Sequence, residues 1–136
     1  MYEVFEHTAD LGLRVCAASR EELFTEAAQG LFSLIVVNLD AVKPVDQFDF
    51  EIIGHDLEYL LFDWLNELLY TYESRRVVLR KFELTFTDTG LLAVGRGEPI
   101  DARRHQLDHE VKAITYHGLK IARDGEGYLA EVIVDI

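Results

Sequence analysis

The sequence predicts an α+β fold, a largely antiparallel β-sheet with two α-helices packed on one face. Two segments carry apolar residues at helical spacing, and several others alternate apolar and polar residues as strands do. Short turn sequences join some of these strands, which is how antiparallel neighbours are connected. A chain of 136 residues predicts one domain, covering residues 1–136.

The first strand and first helix are marked by a change of period after residue 18. Apolar residues recur at every second position at Leu11, Leu13, Val15 and Ala17, as in a half-buried strand. Ser19 then precedes Glu22 by three residues, a capping box that predicts a helix start. The apolar stripe of this helix fades by Asn38, before Pro44.

The second helix has the stronger pattern. It follows an alternating strand around residues 47–52, and Asp56 is its predicted N-cap. Apolar residues then recur at i, i+3, i+4 and i+7 as far as Tyr72, which predicts a helix lying on a sheet. Trp64 is part of this stripe, so we expect it to be buried.

The remaining segments predict two pairs of strands. Residues 77–87 and 91–95 flank the turn Asp88-Thr89-Gly90, and residues 111–122 and 128–135 flank a turn at 124–127. Residues 99–107 read as irregular and contain Arg103, Arg104 and His105. A solvated loop is one interpretation of this basic cluster, and a contact for a partner or RNA is the other.

The net charge of the chain indicates which classes of partner it can bind. Thirteen basic residues against 25 acidic ones give a net charge of -12. Such a surface repels phosphate backbones, which argues against broad non-specific nucleic-acid binding and favours a basic partner or a cation. The alternative is that the charge serves only solubility, or life in a hot or salty cell.

Cysteine content and the N-terminus predict a cytoplasmic protein. Cys16 is the only cysteine, and we expect it to be a buried structural thiol in a reducing compartment. The first ten residues do not resemble a signal peptide, and no apolar run is long enough to cross a bilayer. Phosphate-binding glycine motifs and a Gly-x-Ser-x-Gly nucleophile motif are absent from the sequence.

Acidic groups near both ends of the chain form a candidate metal site. Asp135 ends an apolar strand, and Ile136 carries the α-carboxylate if no residues were removed after it. Asp10 supplies a third carboxylate if the strand it precedes lies next to the last one. Calcium prefers such oxygen ligands. The alternative is that Asp135 is an exposed polar stop and Asp10 a turn former.

Residues 109–117 contain further polar groups. Glu110 and Lys112 share one strand face, either as a weak ion pair or with Lys112 projecting toward the Asp10 and Asp135 carboxylates. His109 and His117 are not spaced as zinc ligands and are expected to be ordinary core or surface histidines. The same holds for His7 and His55.

Three motifs together resemble the archease family. They are His7-Thr8-Ala9-Asp10-Leu11-Gly12 near the start, Glu110-Val111-Lys112-Ala113-Ile114-Thr115-Tyr116, and Val132-Ile133-Val134-Asp135-Ile136 at the end. The two predicted helices also fall where that family has them, so the resemblance covers essentially the whole chain.

The resemblance implies a non-enzymatic function. Archeases activate the RtcB-type tRNA-splicing ligase by promoting its guanylylation and multiple turnover. By motif position, Asp10, Asp135 and the Ile136 carboxylate are expected to bind a divalent metal, usually calcium, with magnesium or manganese as alternatives in the working complex. Lys112 belongs to the same ligase-activating surface, and RNA is met only through the ligase. Rival interpretations are a chaperone-like modulator of RNA-modifying enzymes and a metal-dependent phosphohydrolase.

Overall fold

The computed structural model describes residues 1–7 and 10–136. Within these residues it has seven strands, two α-helices and one short 3-10 helix. In chain order they are β1 (Tyr2–His7), β2 (Asp10–Ala17), α1 (Arg20–Ile35), the 3-10 turn (Leu39–Ala41), β3 (Asp46–Ile53), α2 (Leu57–Arg75), β4 (Val77–Phe86), β5 (Gly90–Pro99), β6 (Ala113–Asp124) and β7 (Gly127–Asp135).

The strands form two antiparallel sheets, so the predicted α+β class with two helices is confirmed. One sheet has the order β1-β2-β7-β6 and the other β3-β5-β4. Each helix contacts strands of both sheets: α1 packs on β2 and β4, and α2 on β6 and β3. The sequence pattern predicted the strands but not their division into two sheets, because strand pairing is not visible in local periodicity.

Both predicted helix starts are confirmed. Ser19 Oγ accepts the Glu22 N–H at 3.1 Å, and Asp56 Oδ1 accepts the Tyr59 N–H at 3.0 Å. These bonds satisfy main-chain donors that the first helical turn leaves free. The burial of Trp64 is also confirmed, since it is fully buried and its Nε1–H donates to the Phe24 carbonyl at 3.1 Å.

The structure differs from the sequence prediction at β1, β5 and β6. Strand β5 runs to Pro99, four residues past the predicted end at residue 95. The edge strand β1 was not predicted, because most of its side chains are exposed and no apolar alternation marks it. Strand β6 begins at Ala113 rather than near residue 111. Just before it, the N–H groups of Asp108 and His109 donate to the Ile35 and Leu34 carbonyls at the end of α1, over 2.8 and 3.0 Å. Residues 108 and 109 are therefore tied to the helix, and the chain joins β7 only from Lys112, whose N–H donates to the Asp135 carbonyl.

Neither helix in the described chain combines the length and the apolar character needed to cross a bilayer.

Candidate functional site

Asp10 and Asp135 lie on neighbouring strands. Leu11 of β2 pairs with Val134 of β7 in antiparallel register. Asp10 precedes Leu11 and Asp135 follows Val134, so the same register places the two aspartates opposite each other. Leu11 and Val134 are buried, so alternation along the strands turns both aspartates to the opposite face of the sheet. Both acids are half-buried. The two ends of the sequence thus meet at one end of the four-stranded sheet.

The pairing brings like charges together. Residues directly opposite on antiparallel strands have Cβ atoms about 4.5–5.5 Å apart, and like charges in such positions destabilise the pair. The ion pairs formed among residues 1–7 and 10–136 include neither Asp10 nor Asp135. Two carboxylates without a basic partner attract a cation, and their oxygen donors suit a hard one.

Lys112 is held beside Asp135 by the main chain. Its N–H donates to the Asp135 carbonyl at 2.8 Å, and the following residue, Ala113, pairs with Asp135 in the β6–β7 ladder. The Lys112 side chain is exposed, and no ion pair in the described chain joins it to Glu110. The main chain of Lys112 therefore lies at the same end of the sheet as the two aspartates.

Ile136 fixes the position of the chain after Asp135. Its side chain is partly buried and packs against the hydrophobic core. Because this side chain is anchored, the main-chain oxygens of Ile136 are held next to the aspartate pair.

His7 is a neighbour that the sequence analysis did not assign to this site. It pairs with Asp10 in the β1–β2 register, so its exposed side chain shares the sheet face with both aspartates. The motif residues between them, Thr8 and Ala9, lie outside the described residues. The described chain holds no group of three or more His, Cys, Asp or Glu side chains arranged for a metal ion. The aspartate pair therefore needs main-chain or terminal oxygens to complete a coordination sphere.

The glycine of the first motif has a packing role. Gly12 lies beneath the Phe5 ring, and a Cβ at this position would be 2.1 Å from Phe5 Cζ. Any side chain here would force the Phe5 ring to move. Gly12 thus leaves room for the Phe5 ring to lie across β2 next to the aspartate pair.

The basic segment 103–105 is not the solvated loop that the sequence suggested. Arg104 pairs with Glu98 and, at 3.3 Å, with Asp101 Oδ2. His105 is 2% exposed, its Nε2 lies 2.9 Å from Glu98 Oε2, and its Nδ1 accepts the Asp101 N–H at 2.9 Å. Only Arg103 is exposed. Arg104 and His105 therefore stabilise the fold.

Glu98 is the centre of this buried network. Burial raises its pKa, but the Lys43 N–H, His105 and Arg104 all hydrogen-bond to the carboxylate and together lower its pKa to about 2. The bond from His105 requires the proton on Nε2, because Nδ1 already accepts a main-chain N–H.

The other singled-out residues stay apart from the aspartate pair. His117 and His55 are exposed, and His109 Nε2 is 3.7 Å from Asp108 Oδ2. Cys16 was expected to be buried, but it is only half-buried, because its side chain lies on the outward face of β2.

Comparison with known proteins gives a consistent result. Residues 2–136 match the archease protein family (MTH1598/TM1083). The chain is 42% identical to protein archease of Methanopyrus kandleri, over 99% of each chain. It is 39% identical to protein archease of Pyrococcus abyssi, over 99% of this chain and 98% of that one.

Two solved structures share the fold along the whole chain. The solution structure of Methanobacterium thermoautotrophicum protein 1598 superposes with a TM-score of 0.83 at 32% identity, covering 99% of this chain and 98% of that one. The crystal structure of an archease, possible chaperone, from Thermotoga maritima gives a TM-score of 0.70 at 25% identity, covering 100% and 98%.

Proposed function

The chain belongs to the archease family, and we propose that it is a metal-binding activator of an RtcB-type tRNA-splicing ligase, acting in tRNA processing. In this proposal the protein does no bond chemistry itself. It promotes guanylylation of the ligase and sustains multiple turnovers. RNA is reached only through the ligase.

One observation supports this proposal more than any other: the register that pairs Leu11 with Val134 aligns Asp10 with Asp135. Two motifs at opposite ends of the sequence meet there, and the third motif supplies Lys112 beside them through its bond to Asp135. A charged cluster assembled from three distant segments at one end of a sheet is suited to entering a partner's active site.

The donor set fits a hard divalent cation. Asp10, Asp135 and the main-chain or terminal oxygens of Ile136 would hold it, since carboxylate and carbonyl oxygens are the ligands that calcium uses. Magnesium or manganese are alternatives in the working complex. The bound ion would offset the repulsion between the two aspartates and present positive charge at the sheet end.

Lys112 has a separate task. A cation does not coordinate a cation, so its exposed ammonium group is free to contact a phosphate or an acidic group of the ligase. Positioned charges of this kind lower a barrier by stabilising developing negative charge without reorganisation.

A guanylylation assay tests the proposal. A purified RtcB-type ligase is incubated with labelled GTP, with and without this protein, and covalent labelling and repeated RNA joining are followed. We expect the protein to raise both while producing no RNA joining or cleavage alone. RNA cleavage by the protein alone would favour the phosphohydrolase alternative, and RNA joining by the protein alone or unchanged ligase turnover would contradict the proposal.

A chaperone-like role is the second candidate. It is suggested by the Thermotoga maritima relative, which is described as a possible chaperone. This role predicts protection of unrelated RNA-modifying enzymes from heat aggregation, independent of Asp10 and Asp135. Variants of these acids therefore separate the two candidates.

A further inference from the structure

The three-stranded sheet, which does not contain the aspartate pair, has a free edge. Strand β3 is the first of the order β3-β5-β4, so only one of its sides is paired within the sheet. An unpaired strand edge carries main-chain donors and acceptors that can bind another extended chain. The unpaired edge of β3 is therefore a candidate interaction surface.

The hydrogen-bond register shows which main-chain groups are free. Gly54 N–H donates to the Thr89 carbonyl at 2.9 Å, and these residues continue the β3–β5 pairing by one position. Hydrogen-bonded pairs recur at every second residue of an antiparallel ladder. The N–H and C=O groups of Asp49, Glu51 and Ile53 therefore point away from β5.

A groove runs along this edge between β3 and α2. Its wider part has a volume of about 520 Å³ and is lined by Glu51 and Ile53 of β3 and by Asp63, Glu67 and Tyr70 of α2. An adjoining part shares Glu67 and Tyr70 and extends to Asp49. A strand edge flanked by a helix is the arrangement in which an added peptide strand is held.

Four carboxylates, one basic side chain and two exposed apolar side chains line the groove. Asp49, Glu51, Asp63 and Glu67 form none of the ion pairs that the described chain contains. Ile53 is 63% and Tyr70 66% exposed, so both can contact a bound chain. Arg75 stacks over Phe48 at the far end of the groove.

We propose that the groove between β3 and α2 binds an extended polypeptide segment of a partner protein that carries lysine or arginine side chains. The segment adds a strand to β3. Its side chains on the α2 side contact Asp63, Glu67 and Tyr70, and those on the other face of the sheet contact Asp49, Glu51 and Ile53, because alternation turns the last three away from α2. A second copy of this chain is a poor occupant, because two β3 edges would bring acidic rows together. This inference does not depend on ligase activation.

Peptide binding measured by fluorescence anisotropy tests the proposal. The probe is a fluorescein-labelled eight-residue peptide that alternates arginine and valine, and the control peptide alternates glutamate and valine. We expect saturable binding of the arginine peptide that weakens as salt rises, and no binding of the glutamate peptide. Failure of the arginine peptide to bind at low salt, or equal binding of both, would overturn the proposal.

A matched pair of variants on α2 localises the site. Glu67→Lys reverses a charge in the groove, and Glu73→Lys makes the same change on an exposed residue outside it. We expect Glu67→Lys to weaken binding about tenfold and Glu73→Lys to leave it within about twofold. Equal weakening by both variants would mean that only net charge acts, which overturns the site.

A second pair tests strand addition itself. Glu51→Pro removes an N–H that points away from β5 and leaves the bonds to β5 intact. An edge strand tolerates proline at such a position. The control, Glu51→Gln, removes only the charge. We expect the proline variant, folded by circular dichroism, to bind more weakly than the glutamine variant; equal affinity would contradict strand addition. If sedimentation shows a dimer of the wild-type chain that Glu51→Pro dissociates, a second copy occupies the edge and the proposal is wrong. If Glu51→Pro fails to fold, the α2 pair decides.

Discussion

Leu11 pairs with Val134 across β2 and β7, and this one pairing joins the two ends of the sequence. Both residues are buried in the core, so the register is fixed by hydrophobic burial. A slip of one residue would turn the apolar rows to solvent. The same burial therefore fixes Asp10 opposite Asp135, and the core determines the position of the proposed metal site.

Lys112 and the aspartates are expected to act separately. Lys112→Ala should abolish ligase activation while leaving calcium affinity within about twofold, because a lysine is no ligand for a cation. Lys120→Ala is the matched control, since Lys120 is also exposed on β6 but pairs with Glu131 farther along the sheet. Guanylylation assays beside calcium titration check both variants. Full activation by Lys112→Ala would remove this residue from the functional surface.

A chain extension tests the proposal that Ile136 supplies a terminal carboxylate to the metal. Adding residues after Ile136 replaces a charged carboxylate by a neutral amide, and we expect weaker calcium binding and weaker ligase activation. An extension before Met1 is the control, because the Met1 carbonyl accepts the Cys16 N–H at the other end of β2. Equal calcium affinities of the two extended proteins would show that the terminal carboxylate is not a ligand.

Trp64 should contribute strongly to stability. Its ring makes edge contacts with Phe50 of β3 and Phe82 of β4, at centroid distances of 5.4 and 6.0 Å. Trp64→Ala leaves a cavity and removes the hydrogen bond to the Phe24 carbonyl, so we expect a loss of about 3 to 5 kcal/mol in the free energy of unfolding. Tyr70→Ala, at an exposed position of α2, is the control and should change little. Urea denaturation measures both, and a near-neutral Trp64→Ala would contradict the packing.

Glu98 gives the protein a specific pH dependence. Its pKa of about 2 in the folded protein lies below the ordinary value of 4.5. The carboxylate therefore stabilises the fold fully above the unfolded pKa, and this stabilisation is lost as pH falls from about 4.5 toward 2. Glu98→Gln should reduce stability at neutral pH and flatten this part of the profile.

The control for that profile is Glu83→Gln. The Glu83 side chain is 77% exposed and lies 3.8 Å from Arg96, so its removal should leave the acid profile close to that of the wild type. Unfolding free energies of the three proteins are compared across the acid range. A Glu98→Gln profile that parallels the wild type would show that the buried network contributes no such dependence.

Local sequence signals predicted the elements whose stabilisation is local. The capping residues Ser19 and Asp56 and the buried Trp64 were recognised because side-chain caps and helical periodicity repeat within a few residues. The edge strand β1 was missed, since an exposed strand lacks the apolar alternation that marks a half-buried one.

Contacts between residues far apart in the chain could not be predicted from local sequence signals. The burial of His105 depends on Glu98 and on Lys43, which is 55 residues from Glu98, and nothing near position 105 indicates this. The Asp10–Asp135 juxtaposition was only a hypothesis conditional on strand order. That order is set by which apolar rows pack together across the whole chain, and β2 and β7 are neighbours, as the hypothesis required.

Calcium titration by calorimetry, on wild type, Asp10→Ala and Asp135→Ala, shows whether the aspartate pair binds metal. We expect measurable binding to the wild type and a large loss of affinity in each variant. Without metal both variants should stay folded and gain slightly in stability, by about 0.5 kcal/mol, because a like-charge pair is relieved. If Asp135→Ala bound calcium as tightly as the wild type and still activated the ligase fully, the aspartate pair would not be the metal site.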